Sequence, residues 1–503
     1  MPVACAACVK LLARTTAAKI ERALAVSIES NASGGIKRRY ERTAASCVRC
    51  YRLSRVCVAY CALSVVRHYE ASRKNQLSIA VLVSYHVLHR VAFIFNPIHW
   101  TLRMNTSRTL DTPTVHLSER AESLACVACG VAIGSAYYAQ PLLIHIAHAF
   151  SLPIASVGLV PMASQIGIWF GVLLLLPLGD RLDGRKLIVT LLLANAVGLV
   201  AVTMARSSTA LLATSFFVGL TTVTPYLLPP LVSRFIDPAE RGKILGRLAS
   251  GIFAGILVAR ALSGVLGEHV SWQAPFRIGA LLCVAMAIAI RFVMPRMTAL
   301  AHSSYAGMLA SLATVWRSEP TLRSAALTQA LMFGSFNVYW IALPLRLASP
   351  AFGLGSTAVA WFALVGAAGV VVAPRLGKLV DRRGAHFGVA FGAACGVSAW
   401  LVTAVSGSSL TALGLGAILL DVGLTIAHIS NQTRIFSLGQ QARSRVGAVY
   451  ILGLLSGAAI ASPLTTWVWS RFGWQGVIVL GALPPVVVAL RAFVSRKRAP
   501  IPA

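Results

Sequence analysis

Gly377-Lys378-Leu379-Val380-Asp381-Arg382-Arg383-Gly384 and, earlier, Gly179-Asp180-Arg181-Leu182-Asp183-Gly184-Arg185-Lys186 are short charged loops set between long apolar stretches. Asp381 follows Asp180 by 201 positions (381 − 180). Trp474-Gln475 follows Trp272-Gln273 by 202 (474 − 272), and Arg443-Ser444-Arg445 follows Arg241-Gly242-Lys243 by 202 (443 − 241). Anchors that recur at a nearly constant spacing mark an internal duplication.

Working outward from these anchors, the apolar stretches near 122–146, 155–178, 187–206, 209–232, 245–267, 275–294, 322–346, 354–376, 386–405, 410–435, 446–468 and 474–494 each approach the roughly 20 residues that cross a bilayer. The expected fold is an all-α integral membrane protein. Twelve spans make two pseudo-symmetric halves of six helices, 104–294 and 322–495. A polar cytoplasmic linker, 295–321, joins them, and a basic cytoplasmic tail, 496–503, follows. Composition agrees: charged residues are 12% and hydrophobic residues 57%, with a mean hydropathy of +0.75, whereas soluble domains carry about 25% charged residues.

The charge balance is 45 Lys+Arg against 15 Asp+Glu, net +30. Residues 1–103 hold 16 and 4 of these, and residues 104–503 hold 29 and 11. In the second segment the basic residues cluster at one end of the spans. With the N-terminus inside, outer connections hold Arg206, Arg277, Arg346 and Arg471, Arg260 lies within a span, and 24 remain on the cytoplasmic side (29 − 4 − 1). That asymmetry puts both termini in the cytoplasm of a cell with an inner membrane. The basic charge is therefore topological, and no nucleic-acid partner is expected.

Residues 1–103 have a different texture. They carry six of the ten cysteines and no sustained helical or strand period. Three readings stay open: a targeting leader, a metal module on Cys5/Cys8 and Cys47/Cys50, or an upstream start, with Met104 opening the working chain. Leu77–Phe95 is apolar, but His86, His89 and Arg90 interrupt it. A central Arg costs about 2.5 kcal/mol or more on insertion.

The Asp-Arg loops resemble the signature loop of major facilitator superfamily transporters. Gly377, Asp381, Arg382 and Gly384 fit it. Asp180, Arg181, Arg185 and Lys186 fit the first copy, where Asp183 replaces a glycine and Leu176 another. Tyr137-Tyr138-Ala139-Gln140-Pro141 and Leu420-Asp421-Val422-Gly423 through Asn431-Gln432-Thr433-Arg434 resemble a bacterial branch near sugar, nucleoside and drug efflux proteins. The resemblance implies alternating access, with the signature loops holding one conformation through contacts across the halves. It also implies a substrate site near the midplane between them.

Two ionisable residues other than histidine fall deep in a span, Arg260 in the fifth and Asp421 in the tenth. A charge there costs at least about 2.5–3.5 kcal/mol unless a cavity or a partner receives it. Asp421 is the expected proton carrier, with Arg260 and His428 as further coupling candidates. A fixed Asp421–Arg260 ion pair is the alternative, and for His428 it is a packing hydrogen bond. The substrate-cavity candidates are Tyr138, Gln140, Thr224, Tyr226, Gln329, Asn337, Tyr339, Trp340, Asn431 and Gln432. Aromatics with a few amides suit a small organic solute. Helix–helix hydrogen bonding is the alternative for each. Gly171, Gly219, Gly255 and Gly366 are expected to allow close helix contact.

The expected function is proton-coupled efflux of a small molecule by a monomer. Uptake by symport and a non-transporting sensor are the alternatives. No enzyme chemistry, metal or cofactor is expected: His145 and His148 have no acid nearby, and there is no phosphate-binding loop. The proton gradient is the expected energy source.

Overall fold

The computed structural model describes residues 117–237, 240–297, 304–405, 409–436 and 443–497. The expected leader, with Leu77–Phe95 and Met104, lies outside them, as does the tail from residue 498.

Twelve longer helices are labelled here: α1 Glu119–Ser135, α2 Leu159–Leu174, α3 Gly184–Met204, α4 Ser208–Thr221, α5 Arg241–His269, α6 Ala274–Val293, α7 Tyr305–Ser318, α8 Pro320–Ala348, α9 Ser356–Arg383, α10 Ala385–Val405, α11 Leu410–Phe436 and α12 Arg443–Lys497. Lipid offers no partner to a bare backbone, so an apolar run that crosses it closes its hydrogen bonds within itself as a helix. Starts are written locally. Ser118, Ser207 and Ser304 accept from the backbone N–H three residues on, at the heads of α1, α4 and α7.

Among the described residues, ten helices are long and apolar enough to span a membrane. The last of them holds the final two expected spans end to end, with Gly473 at φ 60° and ψ −151° between them. The expected linker differs from a plain polar connection. It contains α7, whose Tyr305 Oη donates to Leu174 O at 2.7 Å.

Two spans break where candidate site residues sit. The first leaves α-helix after Ser135 and resumes at Leu143–Ala149, through a short 3-10 turn with Pro141 at its start. The fourth stops at Thr221 and restarts at Thr224–Val232, with Pro225 in its first turn. Broken backbone at membrane depth is tolerated where protein or a cavity receives it.

The duplication is repeated in the packing. In the first half, Gly251 of α5 lies against Cys126 of α1, and Gly255 against Gly130. In the second, Gly453 of α12 lies against Ala326 of α8, and Gly457 against Ala330. The α1 and α8 partners differ by 200 (326 − 126, 330 − 130), and the glycines by 202 (453 − 251, 457 − 255). Small residues let helix backbones approach where no hydrophobic force drives them together.

The halves meet tightly at the end away from the signature loops. Gly158 lies directly against Ser462 O, and Thr466 Oγ1 donates to Ala155 O at 2.9 Å. On the other flank, Ser356 Oγ donates to Gly264 O at 2.8 Å, and Thr357 N donates to Glu268 Oε2 at 2.6 Å. At the loop end, added Cβ atoms on Gly242, Gly246 and Gly447 would meet nothing within 4 Å among the described residues. Nearer the loop end, Leu173 and Leu176 of the first half pack against a cluster with Leu312, Leu322, Val446 and Tyr450, so the hydrogen-bonded seal belongs to the end away from the loops.

Candidate functional site

Arg260 of α5 is 1% exposed. Its Nε donates to Gln140 Oε1 at 3.0 Å. Its guanidinium carbon lies 4.1 Å from the Trp340 ring centroid, 5.2 Å from Tyr137 and 5.4 Å from Phe336. Its Nη2 is buried with no hydrogen-bond partner among the described residues. Tyr137 and Gln140 come from the break in the first span, while Phe336 and Trp340 come from α8. Both halves therefore wall this cation. Gln140 Nε2 also donates to Asn337 Oδ1 at 3.5 Å, a second link across the seam. Asn337 Nδ2 turns back onto Phe333 O of its own helix.

Asp421 of α11 is part-buried, and its Oδ2 is buried without a partner. It faces Gly366 of α9. A Cβ on Gly366 would stand 2.8 Å from that oxygen and 3.3 Å from Trp340 Cζ2. The indole is thus common ground, with Arg260 over its face and Asp421 near its benzo edge. The two charges do not form a direct ion pair. The fixed pair weighed from the sequence is absent among the described residues.

Both charges depart from the internal repeat. At the 202 spacing of the loops after the fourth and tenth spans Asp421 falls on Gly219 (421 − 202), and at the 201 spacing of the signature loops Gly366 falls on Gln165 (366 − 201). Gly219 packs directly on Ser164 O. In the first half, then, the small residue on the later helix closes the contact. In the second half the later helix carries the carboxylate, and Gly366 lies against it. Arg260 falls on Ser462 (260 + 202), which lies in the opposite seam against Gly158.

The remaining candidates divide. Gln329 Oε1 accepts from Asn431 Nδ2 at 3.2 Å, leaving Gln329 Nε2 and Asn431 Oδ1 buried and unpartnered. Thr224 Oγ1 is likewise buried and unpartnered. These are open polar groups of the kind a solute or water satisfies. Others are occupied by packing. Tyr138 sits edge-on to Phe276 with Gly279 against its ring. Tyr339 Oη donates to Leu413 O at 2.6 Å and packs on Trp400. His428 Nδ1 shares a 3.0 Å hydrogen bond with Tyr450 Oη. Tyr226 packs against the first-half core, and Gln432 is part-buried on α11.

At the signature loops, Asp180 pairs with Arg234 at 2.5 Å. That partner lies in the same half, whereas the loop was expected to act across the halves. Arg185 Nη1 donates to Met294 O at 3.2 Å and Arg291 O at 3.5 Å, at the α6 C-terminus, where helix dipoles favour a cation. Asp183, the departure from the family pattern, caps α3 by accepting from Arg185 N at 2.9 Å. It also accepts from Met297 N at 3.4 Å. Arg181, Lys186, Asp381, Arg382 and Gly384 are exposed and Gly377 is part-exposed. Gly384 takes φ 84° where α9 ends.

Sequence reasoning missed Tyr137, Phe336, Gln165 and Arg234. Gln165 of α2 is 0% exposed, with its amide beside the Tyr137 side chain. An amide amid apolar residues was its signal. Arg234 carried none, because basic residues at span ends are common here.

Residues 124–450 match the Major Facilitator Superfamily. The chain belongs to the major facilitator superfamily. A relative named "Uncharacterized transporter YgaY" from Escherichia coli O157:H7 is 34% identical over 370 residues, 74% of this chain and 94% of the relative. "Probable sugar efflux transporter" of Helicobacter pylori is 23% identical over 326 residues, covering 64% of this chain and 82% of that one. Among solved structures, the nucleoside transporter NupG aligns with a TM-score of 0.61 at 13% identity, over 76% of this chain and 99% of that one. The chain is a multi-pass membrane transporter of this superfamily, and Arg260 lies where its two halves meet.

Proposed function

We propose that this superfamily member is a secondary active transporter. It couples the movement of a small organic solute to the proton gradient across the inner membrane, works as a monomer with both termini in the cytoplasm, and needs no other cofactor. One observation carries the reading: among the described residues Asp421 Oδ2 is buried without a partner, near the Trp340 ring that Arg260 of the other half covers. A carboxyl so placed binds and releases a proton as one half rocks against the other. In that orientation the end joined by the Gly158–Ser462 and Glu268–Thr357 contacts is external.

Export is the first reading of direction, and the similarity to the Helicobacter pylori probable sugar efflux transporter supports it. The second reading, symport with a proton, is favoured by a separate observation, the uncompensated cation Arg260.

The test uses the purified full chain in liposomes with an imposed pH gradient and a panel of radiolabelled organic solutes. Asp421→Asn is expected to reduce proton-driven flux by about tenfold or more, equivalent to about 1.4 kcal/mol, while solute exchange without a gradient persists. Undiminished proton-driven flux in that variant removes Asp421 from the coupling step.

A further inference from the structure

Arg260 presents a problem that the transporter fold alone does not solve. A guanidinium stays charged at every physiological pH. This one is 1% exposed, with one neutral acceptor, Gln140 Oε1, and three aromatic rings around it. Ring faces offset part of the desolvation of a buried cation. They do not satisfy its N–H donors, and Nη2 remains buried with no acceptor among the described residues. A buried charge normally persists only when it is paired and hydrogen-bonded. Asp421, with its Oδ2 against Gly366, makes no direct ion pair with Arg260 among the described residues and acts on it only at longer range.

We infer that Arg260 anchors the anionic head of the transported solute, and that the solute is an organic monocarboxylate with a planar or apolar body. Three features carry this. The orphaned donor Nη2 takes one carboxylate oxygen in a charge-assisted hydrogen bond. The rings of Tyr137, Phe336 and Trp340 stand around that donor and form apolar walls beside the head group. The walls come from both halves, so a carboxylate on Arg260 touches both, as alternating access requires. Gln165, fully buried and interacting with the Tyr137 side chain, holds that ring in the wall.

The inference rests on the transport reading and sharpens its coupling. The titratable groups acting on Arg260 are Tyr137 from the first span and Asp421 from α11. An ionised Asp421 and a bound carboxylate both neutralise the same cation, so each weakens the other. A protonated Asp421 leaves Arg260 to the solute. Proton and anion therefore bind together, which is the sense of symport.

The experiment separates binding from flux. Equilibrium binding to the purified full chain in lipid nanodiscs is measured for matched probes: benzoate against benzamide, and cinnamate against cinnamamide. The carboxylate of at least one pair is expected to bind about tenfold or more tightly than its amide, a preference that Arg260→Gln removes and Arg260→Lys partly restores. Thermal unfolding of each variant checks that the fold is kept. Absence of a carboxylate preference in every pair overturns the inference, as does a preference that survives in Arg260→Gln. A carboxylate preference without flux in liposomes leaves the anion site standing and removes the transport reading. Flux of a neutral solute that Arg260→Gln leaves unchanged removes the anion site and leaves transport standing.

Discussion

A Cβ on Gly366 would stand 2.8 Å from Asp421 Oδ2 and 3.3 Å from Trp340 Cζ2. The carboxylate has its position because its neighbour has no side chain. Gly366→Ala adds that atom at a helical position, where alanine is favoured over glycine by about 1 kcal/mol. The helix should therefore hold while the carboxylate turns aside. Proton-driven flux is expected to fall about tenfold, with the unfolding temperature unchanged or raised. Full flux in that variant means that Asp421 does not depend on the glycine. Asp421 and Arg260 were visible in the sequence because a charge in an apolar run has few physical excuses. Gly366 was seen only as a helix-packing glycine. The chain holds 40 glycines, and many of those buried between helices meet backbone. The repeat carried the missing signal, since Asp421 takes the place of the close-packed Gly219.

Helix ends do more here than start and stop spans. α9 begins at a glycine with no side-chain cap of its own. Glu268 supplies one from the end of α5, accepting from Thr357 N at 2.6 Å. A cap of this kind is worth about 0.5–2 kcal/mol, and this one exists only while the halves touch. Glu268→Ala is expected to shift the population toward the state open at the sealed end by about fivefold to tenfold, the equivalent of about 1–1.4 kcal/mol. Spin-label distances measured across that end report the shift. An unchanged distance distribution would show that the cap does not bias the halves. Helix positions were legible from apolar run length, and among the described residues ten helices are long and apolar enough to cross a membrane. The breaks after Ser135 and Thr221 were less so. Pro141 and Pro225 hint at them, but a proline can also sit in a first turn without breaking anything. α7 was read as polar linker because one apolar face on a short helix is a weak periodic signal.

The two halves repeat in sequence and in packing, and they differ where the function is expected. Each half holds its own helices together through small residues, Gly130 with Gly255 in one and Ala330 with Gly457 in the other. The seam between them is different, because it has to open. Gly158 lies directly on Ser462 O there, so Gly158→Leu would wedge the seam without touching either core. The variant is expected to fold and to lose transport by about tenfold or more, with the normally sealed end reactive to a thiol reagent at an introduced surface cysteine. Normal flux would show that the seam need not close during the cycle.

Run lengths, loop charges and the near-constant spacing of the loops determined the twelve expected spans, the duplication and the two membrane charges, because lipid imposes these requirements on the chain locally. The partners of those charges were decided by tertiary structure alone. Arg260 faces Trp340 of the other half, Asp421 lies in the space left by Gly366, and Asp180 pairs with Arg234. Each of these contacts joins residues more than fifty positions apart, and no local rule of periodicity or capping reaches that far. What places them is helix packing, which depends on the shapes of surfaces that meet only in the folded bundle.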